Sequence, residues 1–406
     1  MYAQVTLQNK ERFLKSVDLP PAEVEKAMER ALWRLEKNAE KFGDKMVQSV
    51  DGILETNSRG FSFNRYRATD RVTWKTGIWT GLYYLAYLYS GEEKFRIVAD
   101  SHLKHYIEAS KHPELHDDHD TGFKFTPSCV AAYKITGNEE AREAALRAAK
   151  ILLEHYCPVN KFIIRIGKRR ESEPLDFYRM LVDSMMNIAL LFWAYEETGD
   201  EVYRDAAIGH YKTTAQYLVR NDGSSYHHYQ FNPKTLEPMY GVTHQGHRDE
   251  SCWSRGHAWL VYGYPVAYRY TKDEEIKDIH KSVSYFLMDH LPKDSLPYWD
   301  FDFTDGSYEP RDSSASAISL CGLYEMCRFL PDDSQQKLLY QNAADAMLKS
   351  LITICENKNE ETDCLLGYVT NSRPHCQVIE NCEPFGDYFF FEALVRKLKP
   401  DFELFW

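Results

Sequence analysis

The 406-residue chain has no apolar run long enough to cross a membrane as a helix: its longest, "MNIALLFWAY", has ten residues, against roughly 18 to 20 for a span. Its first residues, "MYAQVTLQNK", contain no apolar signal core. These absences predict a soluble protein, periplasmic if a signal peptide has been removed and cytoplasmic otherwise. CxxC spacing is also missing. The nine cysteines are scattered and odd in number, which argues against a disulfide framework or a zinc ribbon and for reduced, mostly buried thiols. Without a linker rich in Pro, Ser or Gly, residues 1–406 read as one domain, with 1–20 as an N-terminal extension. Nor is there an excess of basic residues. The balance of 49 Lys and Arg against 61 Asp and Glu gives a net charge of −12, which excludes a non-specific nucleic-acid binder and an anionic membrane partner. An anionic ligand must therefore find its positive contacts locally. No oligomeric state follows from any of this.

What the chain has in quantity is apolar and aromatic side chains, at 44% and 14%, enough for a large core. They fall in a repeat. "LAYLYSGEEKFRIVAD", "AAYKITGNEEAREAAL", "WAYEETGDEVYRDAAI" and "VAYRYTKDEEIKDIHK" each carry Ala-Tyr (Ala86-Tyr87, Ala132-Tyr133, Ala194-Tyr195, Ala267-Tyr268), a short break and an acid-rich helix start. Gly91, Gly137 and Gly199 suit a left-handed helix C-cap, and the acids after them oppose the next helix dipole. A weaker fifth copy breaks at Pro331, and "GDYFFFEALVRKLKP" adds a last apolar helix. Apolar helices are predicted near 74–90, 122–136, 181–198, 251–270, 314–330 and 386–398, alternating with amphipathic ones that begin with "AEVEKAMERALWRLEKNAEKFG". Helices apolar all round belong inside and amphipathic ones outside. The expected fold is all-α, an (α/α)6 barrel of six inner and six outer helices. The extra chain length falls between each outer helix and the next inner one, so one barrel mouth carries the long loops, and with them function.

Asp183, flanked by Leu181, Val182, Met185 and Met186, should have a raised pKa by desolvation, as a general acid requires. Its structural alternative is a helix N-cap. In "HDDHDTGFKF", Asp120 stands next to the helix-leading Thr121-Gly122-Phe123; the same stretch also reads as a solvated acidic loop. Its His116/His119 pair lacks the further ligands of a metal pattern, so no metal is expected. Two carboxylates at a mouth lined with Trp, Tyr and His suggest sugar chemistry.

Six stretches in one order resemble glycoside hydrolase family 88, the unsaturated glucuronyl hydrolases: "WKTGIWTGLYYLAY", "HDTGF", "VDSMMNIALLFWAY", "THQGHRDESCWSRGHAWLVYG", "PRDSSASAI" and "GDYFFFEAL", spanning residues 74 to 394. The resemblance implies a hydrolase, without a cofactor, that removes the 4,5-unsaturated uronic acid left by polysaccharide lyases on chondroitin, hyaluronan or heparin oligosaccharides. It implies that Asp183 protonates C4 of the vinyl ether and assists water addition at C5, with Asp120 holding ring hydroxyls and raising the proton affinity of Asp183. Trp74 is implied to line the pocket, His227 and Gln245 to contact the sugar and the attacking water, and Arg255 with Trp259 to lie near the substrate carboxylate. Beside His227 stands His228, and Arg248 is a second anion contact in the Arg255 loop. One departure stands out: the loop "FIIRIGKRRESEP" lacks the family's tryptophan, and its Lys168, Arg169 and Arg170 could meet a sulfated aglycone or simply be solvated. Other readings are an unsaturated rhamnogalacturonyl hydrolase acting on pectin fragments, a conventional inverting glycosidase, and a non-catalytic sugar-binding barrel.

Overall fold

The computed structural model describes residues 5–50, 65–115, 118–165 and 178–406. His116, Asp117 and the Lys168–Arg170 run lie outside these. Among the described residues twelve helical rods build the barrel. In chain order they are α1 (Pro21–Phe42), α2 (Trp74–Ser90), α3 (Glu93–Ala109), α4 (Thr121–Phe125, Thr126–Val130 and Ala131–Thr136), α5 (Glu139–Glu154) and α6 (Ser184–Asn187 and Ala189–Thr198). They continue as α7 (Glu201–Tyr217), α8 (Ser254–Thr271), α9 (Glu275–His290), α10 (Ser313–Cys327), α11 (Gln335–Ser350) and α12 (Pro384–Leu398). Each even-numbered helix contacts its even-numbered neighbours, and α12 meets α2, closing the inner ring. The inner helices are buried along most of their length. The odd-numbered helices bury one face, Val24, Ala27, Met28, Ala31 and Leu35 in α1 for example.

Local signals set the ends of these rods. Thr73 and Thr76 form a reciprocal capping box at the start of α2. Gly91, Gly137 and Gly199 close α2, α4 and α6 with left-handed φ of 75°, 70° and 71°, as the repeat predicts. The predicted continuous helix over 122–136 differs in detail, because a π turn at Thr126–Val130 interrupts it. Pro127 lies in that turn, and without an N–H it cannot continue the i→i−4 ladder.

The all-α expectation omits a small sheet at the mouth. β1 (Met46–Ser49) pairs with β2 (Tyr66–Thr69), and β3 (Tyr156–Cys157) with β4 (Phe162–Ile163). β5 (Arg179–Leu181), β6 (His228–Phe231) and β7 (Pro238–Val242) form an antiparallel sheet in that order. The predicted start of the third inner helix at 181 therefore moves to Ser184, because Leu181 is committed to the sheet, opposite His228. Inside the ring Trp406 is buried edge-on to Phe123, at 6.1 Å between ring centroids, and Arg269 donates to its carbonyl at 2.6 Å. The N-terminal segment is tied down as well: the backbone N–H groups of Gln8 and Asn9 donate to the Asp289 carboxylate, and Arg12 donates to the carbonyls of Leu291 and Pro292.

Candidate active site

The starts of α4 and α6 carry the two aspartates, and close packing brings them together. Gly122 has no side chain where the backbone of Asn187 passes, so the two inner helices touch directly. Asn187 then fixes their register: its Oδ1 accepts from the Phe123 N–H at 2.7 Å, while its Nδ2 donates to the Asp183 carbonyl at 3.2 Å. Asn187→Ala should lower kcat about tenfold with a smaller change in KM, because it loosens the spacing of the two acids without removing a substrate contact. Equal kcat in variant and wild type would show that the glycine contact alone sets the geometry.

Asp183 precedes α6 but caps nothing; its side chain makes no capping hydrogen bond, and Oδ2 is buried without a group in hydrogen-bond range among the described residues. That observation removes the N-cap reading. Burial pushes its carboxyl up to about 6; His119 and Arg255 oppose the rise and Asp120 adds to it. Burial also raises Asp120, against the pull of His119, whose Nε2 lies 3.4 Å from its Oδ1. Asp118 has a different task. It accepts from the Asp120 N–H at 2.9 Å and pairs with Lys124 at 2.7 Å, so it shapes the turn that presents Asp120.

The mouth sheet supplies the histidine. Leu181 opposite His228, with the Val182 N–H donating to the His227 carbonyl at 3.0 Å, puts His227 Nε2 at 3.8 Å from Asp183 Oδ2. Burial, helped by His228 and His244, holds the His227 pKa well below normal, so the ring is neutral and the contact is not an ion pair. Its Nδ1 accepts from the backbone N–H groups of His244 and Gln245 at 3.2 and 3.3 Å. The proton therefore sits on Nε2, which faces Asp183 as a donor.

These groups line a cavity of about 260 Å³ with Trp74, Lys75, Phe123, Gln245, Trp253 and Arg255. Of the seven residues that the motifs point to, six share this wall. Trp259 does not. It lies one helical turn below Arg255, roughly 6 Å deeper along α8, packed on Phe123 and Phe389 at 5.1 and 5.5 Å. The tryptophan beside the site is Trp253, whose ring is 4.5 Å from His227 and 4.7 Å from the Arg255 guanidinium. Nothing in the spacing of "CWSRGHAW" distinguishes the two until the helix start at Ser254 is known.

Arg255 is more constrained than expected. Its two terminal nitrogens donate to Asp312 at 2.8 Å, to the Thr370 carbonyl at 2.6 Å, and to Asn371 through both its backbone and its side-chain oxygen. Asp312 thus offsets much of its charge, and Arg255 also pins the 370–371 loop over the cavity. Gln245 reaches that loop too, donating to the Asn371 carbonyl at 2.8 Å. Arg248 pairs with Asp302 at 2.7 Å, half-exposed and away from the cavity wall. Arg165 and Arg179, not foreseen from the sequence, bring further positive charge to a cavity whose acids, among the described residues, are Asp120 and Asp183. The local positive contacts that a chain of net charge −12 would need for an anionic ligand are therefore present.

Residues 45–360 match the family model Glycosyl Hydrolase Family 88. The chain belongs to this family. It is 40% identical, over 100% of both chains, to the unsaturated chondroitin disaccharide hydrolase of Streptococcus pneumoniae (strain ATCC BAA-255 / R6). The crystal structure of unsaturated glucuronyl hydrolase from Streptococcus agalactiae superposes with a TM-score of 0.91 at 38% identity, covering 100% of this chain and 99% of that one. A variant of that enzyme complexed with dGlcA-GalNAc6S superposes with a TM-score of 0.85 at 36% identity, over 100% and 99% of the two chains. The barrel read from the repeat is the fold this family shares. No helix among the described residues is long and apolar enough to cross a membrane.

Proposed function

We propose that this barrel is a single catalytic domain that removes the 4,5-unsaturated uronic acid from the non-reducing end of lyase-generated glycosaminoglycan oligosaccharides. The observation that carries the reading is the Asp183 carboxyl: partly buried, uncapped, raised to about 6, and set against Asp120 and a neutral His227 in a cavity of positive surroundings. The unsaturated sugar is a vinyl ether, so its electron-rich C4 needs a proton from a carboxyl whose pKa is lifted toward neutral. Asp183 delivers that proton to C4, and positive charge develops at C5 and the ring oxygen.

Water then adds to C5 and returns a proton to the Asp183 carboxylate, so the residue ends as it began. The resulting hemiketal opens and expels the aglycone as an alcohol. His227 Nε2–H, beside Asp183, orients the water, and Gln245, tied to the 370–371 loop, supports it. Asp120 binds ring hydroxyls, and its negative charge raises the proton affinity of its partner. Trp74 offers a ring face to the sugar, held by Phe385 stacked at 4.9 Å. Arg255 acts on the substrate carboxylate mainly through its field, because Asp312 and the loop occupy its terminal N–H groups.

The test is loss of the conjugated uronate absorbance near ~235 nm, followed on unsaturated chondroitin, hyaluronan and heparin disaccharides with a pectin-derived rhamnogalacturonyl disaccharide alongside. Consumption of at least one glycosaminoglycan product is expected. Consumption of the pectin fragment alone would overturn the substrate class.

A further inference from the structure

The cavity around the two aspartates continues past Trp74, Lys75, Asn371 and Gln377, which also line a second hollow of about 460 Å³. Its remaining wall is the β1–β2 ribbon and the segment that leads from it into α2: Gln48, Ser49, Val50, Arg67, Arg71 and Thr73. Gln48 stands opposite Arg67 in the ribbon register, so their side chains share one face. Among the described residues no aspartate or glutamate lines the hollow. Lys75 is offset by Glu383 at 2.5 Å, whereas among the described residues neither Arg67 nor Arg71 pairs with a carboxylate.

The direction of this hollow follows from the chemistry. If the proposed function holds, the sugar being released is a chain terminus, and sugars are attached to it on one side only. A hollow continuous with its pocket therefore receives the part that leaves.

We propose that this hollow is an anion-binding extension of the site, in which Arg67 and Arg71 hold a negative group on the leaving sugars. That group is a sulfate ester on the second sugar or the carboxylate of the next uronate. Both present at least two anionic oxygens to the N–H groups of a guanidinium fork. The ribbon would then decide which oligosaccharides are preferred, while the aspartates do the chemistry.

The experiment compares wild type with R67A, R71A and the double variant on three unsaturated substrates: an unsulfated disaccharide, the same disaccharide sulfated on its second sugar, and an unsulfated tetrasaccharide. The readout is the ratio of kcat/KM on each longer or sulfated substrate to that on the unsulfated disaccharide. In the double variant at least one ratio should fall about tenfold or more, chiefly through KM. A fall in the sulfated arm assigns the sulfate, and a fall in the tetrasaccharide arm assigns the carboxylate. Ratios within twofold of wild type in both arms overturn the anion site and leave the enzymatic reading standing. Absence of wild-type turnover on all three substrates overturns the enzymatic reading and this inference with it. Both arginines are surface-exposed, so the variants should fold, and thermal unfolding serves as the control.

Discussion

Asp183→Asn should all but abolish turnover while making the protein more stable. Both effects come from one cause. Burial costs a carboxylate more than a neutral carboxyl, and it pushes the Asp183 pKa up to about 6. A group held protonated in this way can donate to carbon, and general acid catalysis of this kind is worth about 10²–10⁴ in rate. Asparagine keeps the shape and cannot donate a proton to C4.

The sign of the stability effect follows from linkage. The folded-state pKa is raised, so the stability linked to the proton is fully present below the unfolded value and is lost as pH rises through about 6. The variant never acquires the charge. Its advantage should be small near pH ~4 and grow to the order of 2 kcal/mol by pH ~8, read as a melting temperature a few degrees above wild type. The kcat/KM profile of the wild type should fall on the alkaline side of about 6, tenfold per pH unit, as the donor loses its proton. Full activity in the variant would remove Asp183 from the chemistry. A melting-temperature difference independent of pH would mean that the aspartate is not a strained charge.

The parts of this molecule legible from sequence are those made by local rules. Helix caps and the 3.6-residue period act within one or two turns, so the breaks at Gly91, Gly137 and Gly199, and the alternation of apolar with amphipathic helices, stand in the sequence itself. The raised pKa of Asp183 was likewise legible, since its neighbours in the chain, Leu181, Val182, Met185 and Met186, are apolar and buried. The mouth sheet was not, because β5 is only Arg179–Leu181 and exists through its pairing with His228–Gln230, far along the chain. That pairing decides which of His227 and His228 faces Asp183. The tie from Arg255 to Asp312 and the 370–371 loop is similarly non-local, so a motif could name the arginine without showing that its charge is already engaged. Trp259 was misplaced for a related reason: a shift of one helical turn is enough to move a side chain from the cavity wall to the core beneath it.

Gly122→Ala should be the most damaging single-methyl change at this mouth. Intrinsic propensity points the other way, since alanine is favoured over glycine inside a helix by about 1 kcal/mol. Packing decides the outcome. A Cβ at 122 would lie 2.3 Å from the Asn187 carbonyl oxygen and 2.4 Å from its Cα, and both belong to the backbone of a buried helix that has no room to retreat. The starts of α4 and α6 must then separate, with an overpacking cost of about 2 kcal/mol or more. Asp120 and Asp183 ride on those two starts, so kcat should fall more than about tenfold as their spacing opens. Gly91→Ala is the control. Its Cβ meets nothing within 4 Å, but its φ of 75° strains a side chain, so it should lose about 1 kcal/mol of stability and leave the rate intact. Thermal unfolding and the absorbance assay on both variants separate the two kinds of glycine. A Gly122→Ala protein with wild-type rate would show that the two carboxylates are positioned from the sheet and the loops, and not by contact between the inner helices.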